Sequence, residues 1–173
     1  MAEELETAQI PPHIMAAMRE RMKMAQRMSR IKHKIVVMSG KGGVGKSTVA
    51  ANLACVLAEG GTAGLVDADV TGPDIAKLMG VEDAQVKATD TGLEPTTGPA
   101  GVRVISMAQM IDRDTAVVWR GPLKIKALKQ MLSDVEWGDL DYLVIDLPPG
   151  TSDEPLSVAQ EIPDARLRDR WPS

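Results

Sequence analysis

The feature that most constrains the fold is a run of nine residues in the first third of the chain. This run is rich in glycine and ends in lysine, serine and threonine. It matches the G-x-x-x-x-G-K-[ST] pattern of a phosphate-binding loop. Glycines let the backbone adopt positive φ, so that successive N–H groups converge on phosphate oxygens. The pattern therefore predicts a nucleoside triphosphate site at Gly40, Lys41, Gly42, Gly43, Val44, Gly45, Lys46, Ser47 and Thr48.

The flanking segments have the order that such a loop requires. Residues 34–38 are a short apolar, β-branched run typical of a buried strand, and residues 47–59 have helical composition before a glycine pair. Lys46 would supply positive charge to the β and γ phosphates, and Ser47 would offer a hydroxyl to Mg²⁺. The helix would turn its positive end toward the bound anion.

A competing pattern lies in the same string. Gly40, Gly42 and Gly45 also satisfy G-x-G-x-x-G, and Asp67 follows about twenty residues later, where a dinucleotide-binding fold has its ribose-binding acid. A dinucleotide-binding fold does not explain Lys46 and Ser47, which directly follow the last glycine. It also does not explain Asp146, which ends a later apolar run. We therefore favour the triphosphate.

Composition excludes several classes of protein. A chain of 173 residues with 44% hydrophobic content can build one sizeable core, as an α/β domain requires. Net charge is −4 and aromatic residues are 2%, which disfavours nucleic-acid binding. The acidic start has no apolar secretion core, no apolar stretch has the length of a membrane span, and one cysteine cannot form a disulfide scaffold. These features predict a cytoplasmic protein and disfavour a membrane partner.

Strand-like and helical segments alternate after the first helix, which predicts an α/β P-loop NTPase fold. We expect a mostly parallel sheet with helices on both faces. The further predicted strands are residues 62–66, 102–107, 115–119 and 142–147. The further predicted helices are residues 73–79 and 123–132. Residues 81–101, rich in Thr, Gly and Pro, are interpreted as a surface excursion.

The chain is predicted to divide into four parts. These are a disordered N-terminus at 1–12, a basic methionine-rich helix at 13–32, a P-loop domain at 33–165 and an arginine-rich tail at 166–173. The helix has a methionine stripe at near-helical spacing, formed by Met15, Met18, Met22 and Met28. We expect this stripe to pack on the domain or on a second copy; contact with a partner or a membrane surface is the alternative.

Two acidic segments after predicted strands complete the site. Asp146 ends an apolar run, where a carboxylate can hold a water on Mg²⁺. Asp67 and Asp69 follow another apolar run. Because side chains alternate along a strand, both carboxylates point to the same side, and one of them can reach an attacking water. The structural alternative is an acidic turn that caps the helix after Pro73. The predicted magnesium ligands are Ser47, Asp67 and Asp146.

Five segments together resemble the Mrp family of iron–sulfur cluster carrier ATPases, relatives of the cell-division ATPase MinD and the nitrogenase iron protein. They are residues 40–47, 67–73, 119–122, 137–142 and 146–151. The resemblance implies that Lys41 reaches across a nucleotide-sandwich homodimer to the partner's phosphates. It implies that Lys46 serves its own subunit and that Asp69 orients water. It also implies ATP and Mg²⁺ as cofactors, and apo iron–sulfur proteins as recipients of the cluster. No chemical role is predicted for residues 119–122.

The chain departs from the family pattern in its thiols and its tail. The family has a C-x-x-C pair that binds a cluster between subunits, whereas Cys55 is the single cysteine here and a cluster needs about four thiolates. Cys55 lies in a predicted helix, where burial as a small hydrophobe is expected. The arginine-rich tail at 166–173 stands where the family has an apolar strand. The resemblance therefore implies that residues 33–165 are a partial ATPase domain, followed by an atypical tail, in a fold that is incomplete at the C-terminus. We expect this shortened form to be deficient in cluster binding and to have an unpaired edge on the loop-bearing strand.

Three functions stay open on the sequence. The first is an ATP-binding and ATP-hydrolysing carrier or assembly protein for iron–sulfur clusters, in a form that lacks the C-x-x-C ligands. The second is a positioning ATPase of the MinD kind, which would attach to a membrane or another surface when nucleotide is bound. The third is a shortened protein that binds nucleotide or a partner without turnover.

Overall fold

The computed structural model describes residues 11–69, 72–110, 121–150, 162 and 166–167. Most of its regular elements surround one sheet. In chain order they are α1 (Pro12–Ser29), β1 (Ile31–Val37), α2 (Lys46–Glu59), β2 (Ala63–Asp67), α3 (Ile75–Leu78), β3 (Lys87–Ala88), β4 (Leu93–Glu94), β5 (Thr96–Thr97), a 3₁₀ turn (Pro99–Gly101), β6 (Arg103–Ser106), α4 (Met107–Met110), α5 (Gly121–Asp134), β7 (Leu140–Asp146) and β8 (Arg166–Leu167).

The main sheet has the strand order β5-β6-β2-β7-β1-β8. All its neighbours pair in parallel except β5, which runs antiparallel to β6. The predicted mostly parallel sheet is therefore confirmed. Asp67 is in register with Asp146 on one side and with Ser106 on the other. Because parallel strands end at the same edge, these three polar residues meet at the carboxyl edge of the sheet.

Both faces of the sheet are covered, and alternate residues of β7 show why. Leu143 and Ile145 pack in the cluster that contains α1 and α5, whereas Val144 packs in the cluster that contains α2 and α3. A strand covered on both faces reads as a continuous apolar run, and that run made β7 predictable from the sequence. None of the described helices is both long enough and apolar enough to cross a membrane.

The junction between α1 and β1 differs from the prediction. The helix predicted over residues 13–32 ends at Ser29, and the strand begins already at Ile31. Buried Lys34 explains the tight junction, since its ammonium donates to the carbonyl of Met28 at 3.0 Å and to that of Ile31 at 3.1 Å. The start of the strand was missed because its first polar side chains face solvent, so its apolar pattern is incomplete.

The methionines of α1 do not form one packed stripe. Met24 and Met28, four residues apart, are buried against the domain. Met15, Met18 and Met22 are 41%, 54% and 71% exposed. The expected packing of the whole stripe on the domain is therefore wrong for these three, because the helix docks along a different face. Packing against a second copy stays a prediction.

Other predicted elements are recovered with shifted ends, or lie outside the described part of the chain. The segment at 81–101 is more ordered than an excursion, since β3 pairs with β4 and β5 joins the main sheet. The predicted strand at 115–119 lies outside the described residues, as do residues 1–10 and most of the tail. An unpaired edge on β1 was expected, but Ile35 and Val36 pair with Arg166 and Leu167.

Candidate functional site

An open cleft of about 370 Å³ lies at the carboxyl edge of the sheet, over the loop that joins β1 to α2. Much of the cleft wall is formed by residues of the predicted loop, namely Gly42, Gly43, Gly45, Lys46, Ser47 and Thr48. Asp69 and Pro149 also line the cleft. The glycine loop and an acid predicted for the same site thus share one cavity.

The loop has the backbone conformation that its glycines allow. Gly43 has φ of 73° and Gly45 has φ of 86°, both in the left-handed region that side chains disfavour. Gly45 also precedes the first residue of α2, whose N-terminus has no side-chain cap. The first amides of α2 are therefore not capped by a side chain and lie beside the cleft, as phosphate binding requires.

Asp146 is the centre of a buried polar cluster. Its two oxygens accept hydrogen bonds from the ammonium of Lys46 and from the hydroxyl of Ser47, each at 2.6 Å. Burial raises the pKa of the Asp146 carboxyl, and the hydrogen bonds from Lys46 and Ser47 oppose that rise. A hydroxyl and a carboxylate in contact are the oxygen donors that Mg²⁺ prefers, so this pair fits the predicted metal site.

Asp69 lies on the same side of the cleft as Lys46. One carboxylate oxygen is 3.7 Å from the Lys46 ammonium. The other accepts the backbone N–H of Gly72 at 3.3 Å. The side chain is 8% exposed and lines the cleft, which fits the predicted role of orienting a water beside bound phosphate.

Asp67 has a different set of partners from the one predicted. Its carboxylate accepts hydrogen bonds from the Ser106 hydroxyl at 2.8 Å, the Asp69 N–H at 3.1 Å and the Ile75 N–H at 3.3 Å. Ile75 is the first residue of α3, so the helix-capping alternative has direct structural support. These partners differ from those of Ser47 and Asp146, and a magnesium role for Asp67 stays a prediction.

Burial, opposed by these hydrogen bonds, raises the pKa of Asp67 to about 7. The folded protein then holds a proton on this carboxyl that the unfolded chain has already released. We predict that its contribution to the free energy of unfolding falls as pH rises from about 4 to about 7, by at most about 1.4 kcal/mol per pH unit, and is constant above that. Urea unfolding of wild type and Asp67→Asn across this range checks the slope, which should appear only in the difference between the two proteins. A difference independent of pH would contradict the shift.

Lys41 and Val44 lie on the outer surface of the loop. Both are exposed, and the Lys41 side chain makes no ion pair or hydrogen bond within the described residues. The structure thus brings Lys46, Ser47 and Asp146 together, whereas Lys41 is exposed and is not among the residues that line the cleft. Its predicted action on a second subunit stays a prediction.

Some residues at the site were not singled out from the sequence. The cleft is also lined by Ser39, Asp74, Lys77 and Leu78. Ser106 was missed as well, although it is a polar residue at the end of a strand beside β2, which is the signal that could have found it.

Cys55 was expected to be buried but is half-exposed, because it lies at the edge of its cluster. Within the described ranges, no group of three or more His, Cys, Asp or Glu residues could hold a metal ion.

Comparison with known proteins settles the choice between the two glycine patterns. The model of the ParA family described as NUBPL iron-transfer P-loop NTPase matches residues 30–167. The chain belongs to this family. The predicted resemblance to the iron–sulfur carrier ATPases is thereby confirmed, and the dinucleotide alternative is set aside. The match to the NUBPL P-loop NTPases begins after α1, so that helix lies outside it.

Individual proteins similar to this chain agree with the family assignment. The chain is 51% identical over 144 residues to an iron–sulfur cluster carrier protein of Saccharolobus solfataricus, covering 82% of this chain and 49% of the relative. It is 50% identical over 139 residues to a cytosolic Fe–S cluster assembly factor, NUBP2 homolog, of Dictyostelium discoideum, covering 78% and 52%. A nucleotide-binding protein from Archaeoglobus fulgidus, solved in complex with ADP, has a TM-score of 0.72 and 42% identity, covering 82% and 55%. The chain thus spans about half the length of the relatives it matches.

Proposed function

We propose that this chain binds ATP with Mg²⁺ and hydrolyses it, as the nucleotide-dependent part of a cytosolic carrier for iron–sulfur clusters. The observation that carries the proposal is the buried cluster of Lys46, Ser47, Asp69 and Asp146 beside a glycine loop. Family membership adds to it, because the matched family consists of P-loop NTPases. The compartment rests on the cytosolic relative.

Each residue of the cluster has a distinct task in binding. Ser47 and Asp146 would hold Mg²⁺, which neutralises charge on the β and γ phosphates when bound. Lys46 is already 2.6 Å from Asp146, and its ammonium carries three N–H donors, so it can turn some of them to phosphate oxygens. The glycine loop supplies main-chain amides to the same oxygens.

Hydrolysis needs an oriented water and stabilisation of the leaving phosphate. In the proposed reaction a water oxygen bonds to the γ phosphorus, the bond from that phosphorus to the β–γ bridging oxygen breaks, and ADP and phosphate leave. Asp69 orients the water and accepts its proton, and Lys46 stabilises the charge on the phosphates. We propose that Lys41 of a second copy adds a further cation, since its side chain is exposed at the rim of the loop.

The cluster is cargo in this proposal, and the recipients are apo iron–sulfur proteins. The sequence contains one thiol, at Cys55, and a cluster needs about four thiolates. We propose that the 173-residue chain by itself binds nucleotide but does not hold a cluster. Anaerobic reconstitution with iron and sulfide, read by the visible absorption of the cluster, should therefore leave it colourless.

The test of the ATPase proposal is calorimetry with MgATP together with phosphate release. Wild type should bind MgATP and turn it over. Lys41→Ala should keep binding but lose turnover by about a hundredfold or more, as for other cations supplied in trans to a phosphoryl transfer. Lys126→Ala is the control, because it removes an exposed lysine of α5 that does not line the cleft. No heat from MgATP would contradict the whole proposal, and equal background rates in all three proteins would leave only nucleotide binding.

A further inference from the structure

Ser106 is a fully buried polar residue that the proposed mechanism does not use. It ends β6 directly beside Asp67, and the two are in register in neighbouring strands. Its hydroxyl donates to the Asp67 carboxylate at 2.8 Å. Ser106 does not line the cleft, so any effect on nucleotide chemistry has to pass through Asp67.

The hydrogen bond has a defined direction. A serine hydroxyl has one proton to donate, and the Ser106 oxygen accepts the backbone N–H of Ala108 at 3.2 Å, so its proton is left for Asp67. The Ser106 backbone N–H in turn donates to the Gln109 side-chain oxygen at 3.0 Å. The Gln109 side-chain amide is anchored on the carbonyl of Val81 at 3.0 Å. The serine is thus held in place from both sides.

Asp67 connects Ser106 to the loop that carries Asp69. One oxygen accepts the N–H of Asp69 at the start of that loop, and the other accepts the N–H of Ile75 at its end. The Ser106 proton shares the oxygen that holds Ile75. Asp67 thus fixes the backbone at Asp69 and at Ile75, while the Asp69 side chain lies 3.7 Å from Lys46.

We propose that Ser106 is a positioning residue for ATP hydrolysis, acting through Asp67 to hold the loop that places Asp69 beside the phosphates. The proposal rests on the proposed function, namely that the chain hydrolyses ATP and that Asp69 orients the attacking water. Loss of the serine hydroxyl leaves a buried carboxylate with one donor fewer, so the carboxylate shifts and loosens its two backbone partners.

The first test compares turnover with affinity at about pH 8, above the pKa of about 7 of the Asp67 carboxyl in the wild type. Ser106→Ala should lower kcat by about tenfold, the effect of one hydrogen bond to a charged group, and change the affinity for MgATP by less than about threefold. Ser106→Cys keeps the volume but has a weak donor, so it should behave like alanine. Rescue by cysteine would show that packing, not hydrogen bonding, matters and would overturn the proposal.

A matched control separates this effect from the loss of any buried hydroxyl. Ser133 is 7% exposed, lies on α5, and donates to the carbonyl of Gln130 at 3.3 Å. Ser133→Ala should leave kcat within about twofold of wild type, since it touches neither Asp67 nor the cleft. An equal fall in kcat for both serines would overturn the proposal.

The second test does not depend on turnover. Amide hydrogen exchange of folded protein, followed by NMR, should become about tenfold faster at Asp69 and Ile75 in Ser106→Ala and stay unchanged in Ser133→Ala. If wild type binds MgATP without hydrolysing it, the proposed function fails, yet faster exchange at these two amides would still support the part of the proposal in which Ser106 fixes Asp69 and Ile75 through Asp67. Unchanged exchange at both amides would overturn it whatever the wild-type rate.

Discussion

Replacement of Lys46 by alanine is expected to abolish MgATP binding and to lower the free energy of unfolding by about 3–5 kcal/mol. Lys46 is 6% exposed and its partner Asp146 is fully buried, with 2.6 Å between nitrogen and oxygen. Removal of the ammonium leaves a buried carboxylate that keeps one hydrogen bond from Ser47. Lys46→Ala should therefore lose MgATP binding and be less stable than wild type.

The dependence of this loss on pH is also defined. Burial already raises the pKa of Asp146, and loss of the lysine should raise it further. Below that pKa the carboxyl is neutral and no longer needs a cation. The destabilisation should thus be largest above the pKa and shrink as pH falls, which urea unfolding at several pH values would measure.

Lys23→Ala is the matched control for Lys46→Ala. Lys23 pairs with Asp134 at 2.7 Å, nearly the same distance, but the two side chains are 45% and 29% exposed. An exposed pair contributes at most about 1 kcal/mol, and Lys23 does not line the cleft, so MgATP binding should persist. Similar losses of stability in the two variants would contradict the argument that burial decides the effect.

Replacement of Asp69 by alanine is expected to lower kcat for ATP by about 10²–10⁴-fold and to preserve binding. The reason is that Asp69 is the proposed group that orients the attacking water and accepts its proton. Its carboxylate is also a negative charge beside the phosphates, so its removal should leave the affinity for MgATP equal or higher. Phosphate release at saturating MgATP, together with calorimetry, measures both quantities.

Asp90→Ala removes an exposed carboxylate in the turn between β3 and β4 and serves as the control. It changes net charge by the same amount and should keep the wild-type rate. A rate for Asp69→Ala within about threefold of wild type would exclude a role in catalysis. Loss of MgATP binding in that variant would instead show that Asp69 helps to form the nucleotide site.

The phosphate loop was predictable because its requirements are local. The left-handed backbone at Gly43 and Gly45 depends on residue type, and the strand before the loop and the helix after it have their own periodicities. The sequence also predicted that Lys46 and Asp146, a hundred residues apart, belong to one site, although it did not predict their direct contact. Both residues adjoin the carboxyl ends of strands, and parallel strands bring those ends to one edge.

Side-chain partners across strands and helices were not predictable in this way. The sequence indicated that Asp67 follows a strand, but its hydrogen bonds to Ser106 and Ile75 depend on which strand lies beside β2 and where α3 begins. Likewise the period of α1 indicated an apolar face, yet only docking on the domain decided that Met28 is buried and Met22 is not.

The sequence by itself determined the phosphate loop, the order of strands and helices around it, and the acids that end the strands. Only the tertiary structure decided which acid meets Lys46 and Ser47 and which one holds the neighbouring loop. The reason is physical: backbone conformation and periodicity are set by nearby residues, whereas the partner of a buried carboxylate is set by strand order and register, which many distant contacts fix together.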